Sequence, residues 1–73
     1  MNYETAIIQA LRTKAPQGLM DLRRAVTPLI GLEASIHEVR AQVRALRDRG
    51  RVIVETHKNG FSIYLPEQKH DSV

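Results

Sequence analysis

Arg40, Arg44, Arg47, Arg49 and Arg51 crowd into one short stretch, and Lys58 follows closely. The guanidinium fork suits phosphate oxygens and the edge of guanine, so this is the chemistry the chain offers most clearly. The distribution of charge points the same way. Residues 35–65 carry a net +3, residues 1–34 a net +1 and residues 66–73 a net −1, within a total of +3. The plainer account, arginines solvating a helix of a basic protein, accommodates the same composition. Other chemistries find little support. His37, His57 and His70 lack metal-ligand spacing, and there is no cysteine to join them, so no metal and no cofactor is expected. No serine has a plausible base and orienting group, and neither a glycine-rich phosphate loop nor paired catalytic carboxylates are present. An enzyme is not expected, nor is a small-molecule ligand evident.

These arginines need a helix and a hairpin to position them. Ser35 is a good N-cap with Glu38 three residues on, as in a capping box. Ile36, Val39, Val43 and Leu46 recur at helical spacing as one apolar stripe, and Gly50 stands where a left-handed C′ residue ends a helix. The third helix is therefore expected over about 36–49. Its side opposite the stripe carries His37, Ala41, Arg44, Ala45 and Asp48, while Arg40 and Arg47 flank the stripe on one edge. Small residues ringed by long hydrogen-bonding ones let a helix approach base edges closely; equally, Ala41 and Ala45 are good helix formers. Two alternating runs, Val52–Thr56 and Phe61–Leu65, then bracket Asn59-Gly60, a strong hairpin-turn signal. A turn centred on Asn59-Gly60 sets Thr56 against Ile63 and Val54 against Leu65. Val52, Val54, Phe61, Ile63 and Leu65 share the core face, while Ile53, Glu55, Ser62 and Tyr64 point outward. Pro66 stops the second strand.

A hairpin is rarely stable alone and must pack on what precedes it. Asn2 caps a first helix, Tyr3 to Lys14, whose face is Tyr3, Ile7, Ala10 and Leu11, widened by Ile8. Pro16 and Gly18 break it. Leu19, Leu22, Val26 and Leu29 mark a second helix. Pro28 predicts an early end near Ala25–Thr27, because proline inside a helix removes a hydrogen bond and crowds the preceding turn. That leaves a long link from Pro28 to Ser35. With 73 residues there is room for one domain, residues 1–66, and the polar segment 67–73 reads as a disordered tail. No apolar run is long enough for a membrane span, and neither leader nor cysteine is present, which suits a cytoplasmic protein.

The order helix, helix, helix, hairpin, with Ser35, Val39, Val43, Leu46, Gly50, Val52 and Asn59-Gly60 as matching residues, resembles the winged helix-turn-helix family of DNA-binding domains over about residues 3–66. The resemblance implies an α+β fold of three helices and a two-stranded wing (51–65), with a very short strand before the second helix at Gly18-Leu19-Met20. It implies sequence-specific binding of double-stranded DNA by a small transcriptional regulator, the third helix lying in the major groove. Ser35, His37, Arg40, Ala41, Arg44 and Arg47 would be contacts on the helix, and His57, Lys58 and Asn59 contacts at the wing tip. Such stand-alone modules are common in phages and plasmids, which suggests a mobile-element origin. Paired half-sites would need a homodimer, for which outward Ile53 and Tyr64 offer a contact. The alternative is a winged-helix module that binds protein rather than DNA. RNA binding lacks the aromatic platform that unpaired bases require.

Overall fold

A computed structural model describes residues 1–68 of the chain. The first helix, α1, spans Tyr3–Thr13, and the Asn2 side chain caps it by accepting the Thr5 N–H at 2.8 Å. Its far end is closed by a residue without a sequence signature. Gln17 is 7% exposed, and its amide nitrogen donates to the carbonyl of Lys14 (2.7 Å), which lies past the last helical turn, and to that of Ala10 (3.2 Å), which also accepts the Lys14 N–H.

The second helix, α2, spans Leu19–Ile30 and runs through Pro28, contrary to the early end expected from sequence. The proline lies in the last turn on an exposed flank, and the carbonyl it deprives, that of Arg24, belongs to an exposed residue that water can reach. The Thr27 hydroxyl steadies this end. It donates to the Arg23 carbonyl at 2.9 Å and accepts the Ala34 N–H at 3.1 Å. The link to the third helix is accordingly only Gly31 to Ser35, shorter than expected. Arg23 reinforces it by reaching Glu33 and the Ala34 carbonyl, both at 3.4 Å.

The third helix, α3, spans Ile36–Asp48. The Ser35 hydroxyl accepts the Glu38 N–H at 3.4 Å, and the Ser35 N–H donates to the Tyr3 hydroxyl at 3.1 Å, which ties the start of α3 to the start of α1. At the other end Gly50 takes φ +73°. The Gly50 N–H meets the Arg47 carbonyl at 2.9 Å, and the Arg51 N–H meets the Leu46 carbonyl at 2.8 Å. This is the Schellman arrangement; a Cβ at Gly50 would strain it.

The chain leaves that turn into strands β1 (Ile53–His57) and β2 (Gly60–Tyr64), paired antiparallel. Their register differs from the expected one by two residues: Val54 faces Ile63, Thr56 faces Phe61, and His57 faces Gly60. The turn is therefore Lys58-Asn59. Neither residue has a positive φ; that conformation falls on Gly60, at +135°, the turn's fourth residue, where glycine is favoured. A shift of two preserves which side chains share a face, because the side-chain period in a strand is two. The division of faces expected from sequence thus stands, although the pairs do not.

The third strand is smaller than expected and lies elsewhere. Gln17 alone bridges β2, its N–H and carbonyl exchanging bonds with Ile63 at 3.0 and 2.8 Å, while Leu19 and Met20 are already helical. The core forms where α1, α2, α3 and β2 meet. Ile7, Leu11, Leu22, Val26, Val39, Leu46, Ile63 and Leu65 are its largest fully buried side chains. Each contributes roughly 1.5–3 kcal/mol by leaving water. Glu67 and Gln68, assigned from sequence to the tail, instead belong to a 3-10 turn, Pro66–Gln68. The Gln68 side chain accepts the Leu65 N–H at 2.9 Å and donates to the Leu11 carbonyl at 2.8 Å. The rest of the expected tail, 69–73, lies outside the described residues.

Candidate nucleic-acid interface

Helical geometry places Arg40, Arg44 and Arg47 at steps of four and three, so they form a single stripe along α3. That stripe faces the hairpin. Between them runs a groove walled on one side by Arg40, Val43, Arg44 and Arg47, and on the other by Val54, Phe61 and Ile63. Leu19, at the start of α2, closes one part of it. No carboxylate lines it. All three arginines are exposed. Arg40 and Arg44 form no ion pair among the described residues, and Arg47 meets only its exposed neighbour Asp48, at 3.3 Å.

The other expected site residues distribute around this groove. His37 and Ala41 are exposed on the outer side of α3, next to the arginine stripe. Ser35 sits at the head of the helix, where its hydroxyl and its N–H are both engaged in fixing α3. Lys58 and Asn59 form the exposed tip of the turn. His57 is close to the tip in sequence, but strand alternation directs it to the face opposite Phe61. There its Nε2 lies 2.7 Å from the Ser62 hydroxyl.

Two residues behave differently from the sequence-based expectation. Phe61, assigned to the core face, is 46% exposed. Phe61 pairs with Thr56 near the tip and stands on the wall of the groove, outside the core, which in the hairpin takes in Val52, Val54, Ile63 and Leu65. Tyr64, expected to point outward, is 9% exposed. It flanks a shallow pocket with Ala15, Pro16, Glu67 and Gln68, and its hydroxyl donates to the Glu55 carboxylate across the strands. That hydrogen bond, reinforced by loss of solvent and by the carboxylate's charge, raises the phenol above its ordinary value near 10. Tyr64 is therefore not available as the dimer contact its alternation suggested. Sequence reasoning had no signal for Leu19 or Val54 as groove residues. For Phe61 the only clue was its place directly after the glycine of the turn.

Three helices, a one-residue bridge and an antiparallel hairpin make this a winged helix-turn-helix fold. Its likeness to a solved structure is close in shape and remote in sequence. A chain of Bordetella bronchiseptica BpsR, studied for the regulation of its DNA binding by 6-hydroxynicotinic acid, matches with a TM-score of 0.76 at 19% identity. The match covers 92% of this chain and 46% of that one, so this chain spans less than half the length of its structural neighbour. No protein-family model matches the chain, and no curated protein matches it significantly. No helix among the described residues is long and apolar enough to cross a membrane.

Proposed function

We propose that the protein binds double-stranded DNA as a small transcriptional regulator, with α3 in the major groove and the tip of the hairpin on the neighbouring backbone or minor groove. The observation that carries this reading is the arginine stripe. Three exposed guanidinium groups converge on a groove without a carboxylate, beside a hairpin whose tip presents Lys58. The DNA binding of the structural neighbour supports it. Arg44, with His37 and Arg40 nearer the start of α3, reads base edges. Lys58 and Arg47 contact phosphate, and Asn59 sits with Lys58 at the tip.

Counterion release supplies the test. A titration against mixed-sequence duplex DNA at several salt concentrations is expected to give log K falling linearly with log salt, with a slope of roughly −0.9 per phosphate contacted. Binding that is absent at low salt, or insensitive to salt, would overturn the reading. The protein-binding alternative then moves forward, and half-exposed Phe61 is the observation that favours it, since protein interfaces centre on aromatic anchors.

A further inference from the structure

The groove between α3 and the hairpin is not uniformly polar. Its rim is guanidinium, but its lining is hydrocarbon: Phe61 is 46% exposed, and Leu19 and Val54 are half-buried. Apart from the three arginines, no side chain lining it carries a polar atom. A surface of this kind matches a ligand that alternates anionic and apolar groups at short intervals. The sugar–phosphate strand of DNA does so, because every deoxyribose presents a hydrocarbon face between two phosphates. The placement also follows from the proposed docking when the tip enters the minor groove. Major and minor grooves are separated by one backbone strand, so a protein with a helix in one and a hairpin tip in the other must straddle that strand.

We infer that the groove seats one backbone strand, with Arg47 on a phosphate and Phe61 against a deoxyribose, and that it thereby selects deoxyribose over ribose at the seated nucleotides. This rests on the DNA-binding reading and adds to it a preference that neither the arginines nor α3 would supply. The added group in ribose, the 2′-hydroxyl, is both donor and acceptor and is what distinguishes RNA from DNA at a contact. Pressed against Phe61, Leu19 and Val54, it would lose water and gain no partner. An arginine rim alone would be indifferent to it, since phosphates are common to both sugars.

The experiment takes a duplex enriched for tight binding from a mixed-sequence pool and replaces single deoxyribonucleotides by ribonucleotides, one position at a time along each strand. Single replacements leave the rest of the duplex unchanged. The parent is expected to lose roughly ten-fold in affinity at one or two adjacent positions of one strand, the scale of a buried hydroxyl left without a partner, and little elsewhere. Phe61→Ala should bind the all-DNA duplex more weakly and respond more evenly along the ribose scan, whereas Phe61→Leu should keep both the affinity and the selectivity. A thermal melt confirms that each variant is folded. A parent that binds the duplex but gives a flat scan overturns the strand seat and leaves DNA binding intact. So does a Phe61→Ala variant with the parent's affinity and scan. A parent that binds no duplex at all removes the underlying reading instead, and the inference with it.

Discussion

Five arginines lie between Arg40 and Arg51, and the fold sorts them into two sets. Arg40, Arg44 and Arg47 face the hairpin across a groove that holds no carboxylate. Arg49 and Arg51 turn the other way, toward α1, where Glu4 receives both, at 3.4 and 3.7 Å. Arg49 further donates through Nε to the Ala45 carbonyl at 3.4 Å, as a cation at a helix C-terminus does. A residue count treats all five alike. The fold gives two of them a partner on another helix, leaves Arg47 only its exposed neighbour Asp48, and gives Arg40 and Arg44 no ion pair among the described residues, so the local field differs although the residue type does not. The hairpin repeats the pattern on its own two faces. Glu55 with Tyr64, and His57 with Ser62, pair with each other on one face, while Val54 and Phe61 turn toward the arginines on the other. In both places the side that satisfies itself belongs to the structure, and the side that does not is the candidate interface.

The largest expected effect comes from removing the platform both sets share. Leu46 is fully buried, and its carbonyl holds the Arg51 N–H in the turn that separates the sets. Leu46→Ala should cost roughly 2–5 kcal/mol in a denaturant or thermal melt. In a domain this small that is a large part of the total, and DNA binding should fail with the fold. An unchanged melting temperature would show that α3 is not anchored by this residue, and the division into two sets would lose its basis.

Next in size is the loss of one member of the available set. Arg44 is exposed, and nothing in the core depends on it. Arg44→Ala should leave stability within about 0.5 kcal/mol, since both residues favour helix. Affinity for a preferred duplex should fall by roughly 1–3 kcal/mol, and for scrambled duplex by less, if the contact is to a guanine edge. An equal fall on both duplexes would assign Arg44 to phosphate. No change on either would dissolve the distinction between the sets.

The paired set should respond in the opposite sense and more weakly. Arg49→Ala removes a half-exposed ion pair with Glu4, and such pairs contribute at most about 1 kcal/mol. A small drop in melting temperature with duplex affinity within about 0.5 kcal/mol of the parent is the expected outcome of parallel melt and binding measurements. A loss of affinity comparable to that of Arg44→Ala would mean that Glu4 does not withhold these arginines from the partner.

What sequence could and could not reveal follows from the range of the forces involved. The caps at Asn2, Ser35 and Gly50 and the stripe from Ile36 to Leu46 depend on residues within a turn of one another, and they were legible. Strand faces were legible for the same reason, since alternation is local. Register was not, because the Asn59-Gly60 signal fits two turns set one residue apart, whose pairings differ by two, and the choice lies with the core that receives Ile63. The passage of α2 through Pro28 rests on Thr27, Ala34 and an exposed flank, which no local pattern displays. Gln17 is the clearest case of a hidden part. One buried side-chain amide follows the end of α1 while the backbone of the same residue makes the one-residue bridge to β2, and its partners are distant in sequence or lie behind it. Within the candidate site the arginines were visible as residue types, but their sorting needed Glu4, and the exposure of Phe61 needed the packing of the hairpin on the helices.

The smallest expected effect concerns the self-satisfied face of the hairpin and is read against pH. The Tyr64 phenol is raised above 10 by the hydrogen bond it donates to Glu55, by its covering and by the charge of that carboxylate. The folded protein therefore retains the phenolic proton at a pH where the unfolded chain releases it. The stabilisation is fully present below the unfolded value and is lost as pH rises through the folded one. Tyr64→Phe should melt below the parent at neutral pH, and the gap between the two should close above about pH 10. Duplex affinity at neutral pH should be the same for both, because the hydroxyl lies on the face turned away from Arg40, Arg44 and Arg47. A melting gap that stays constant through pH 11 or so would show that the hydroxyl's proton plays no part in the fold. A change in affinity at neutral pH would show that the two faces of the hairpin are not separate, and that the partner touches both.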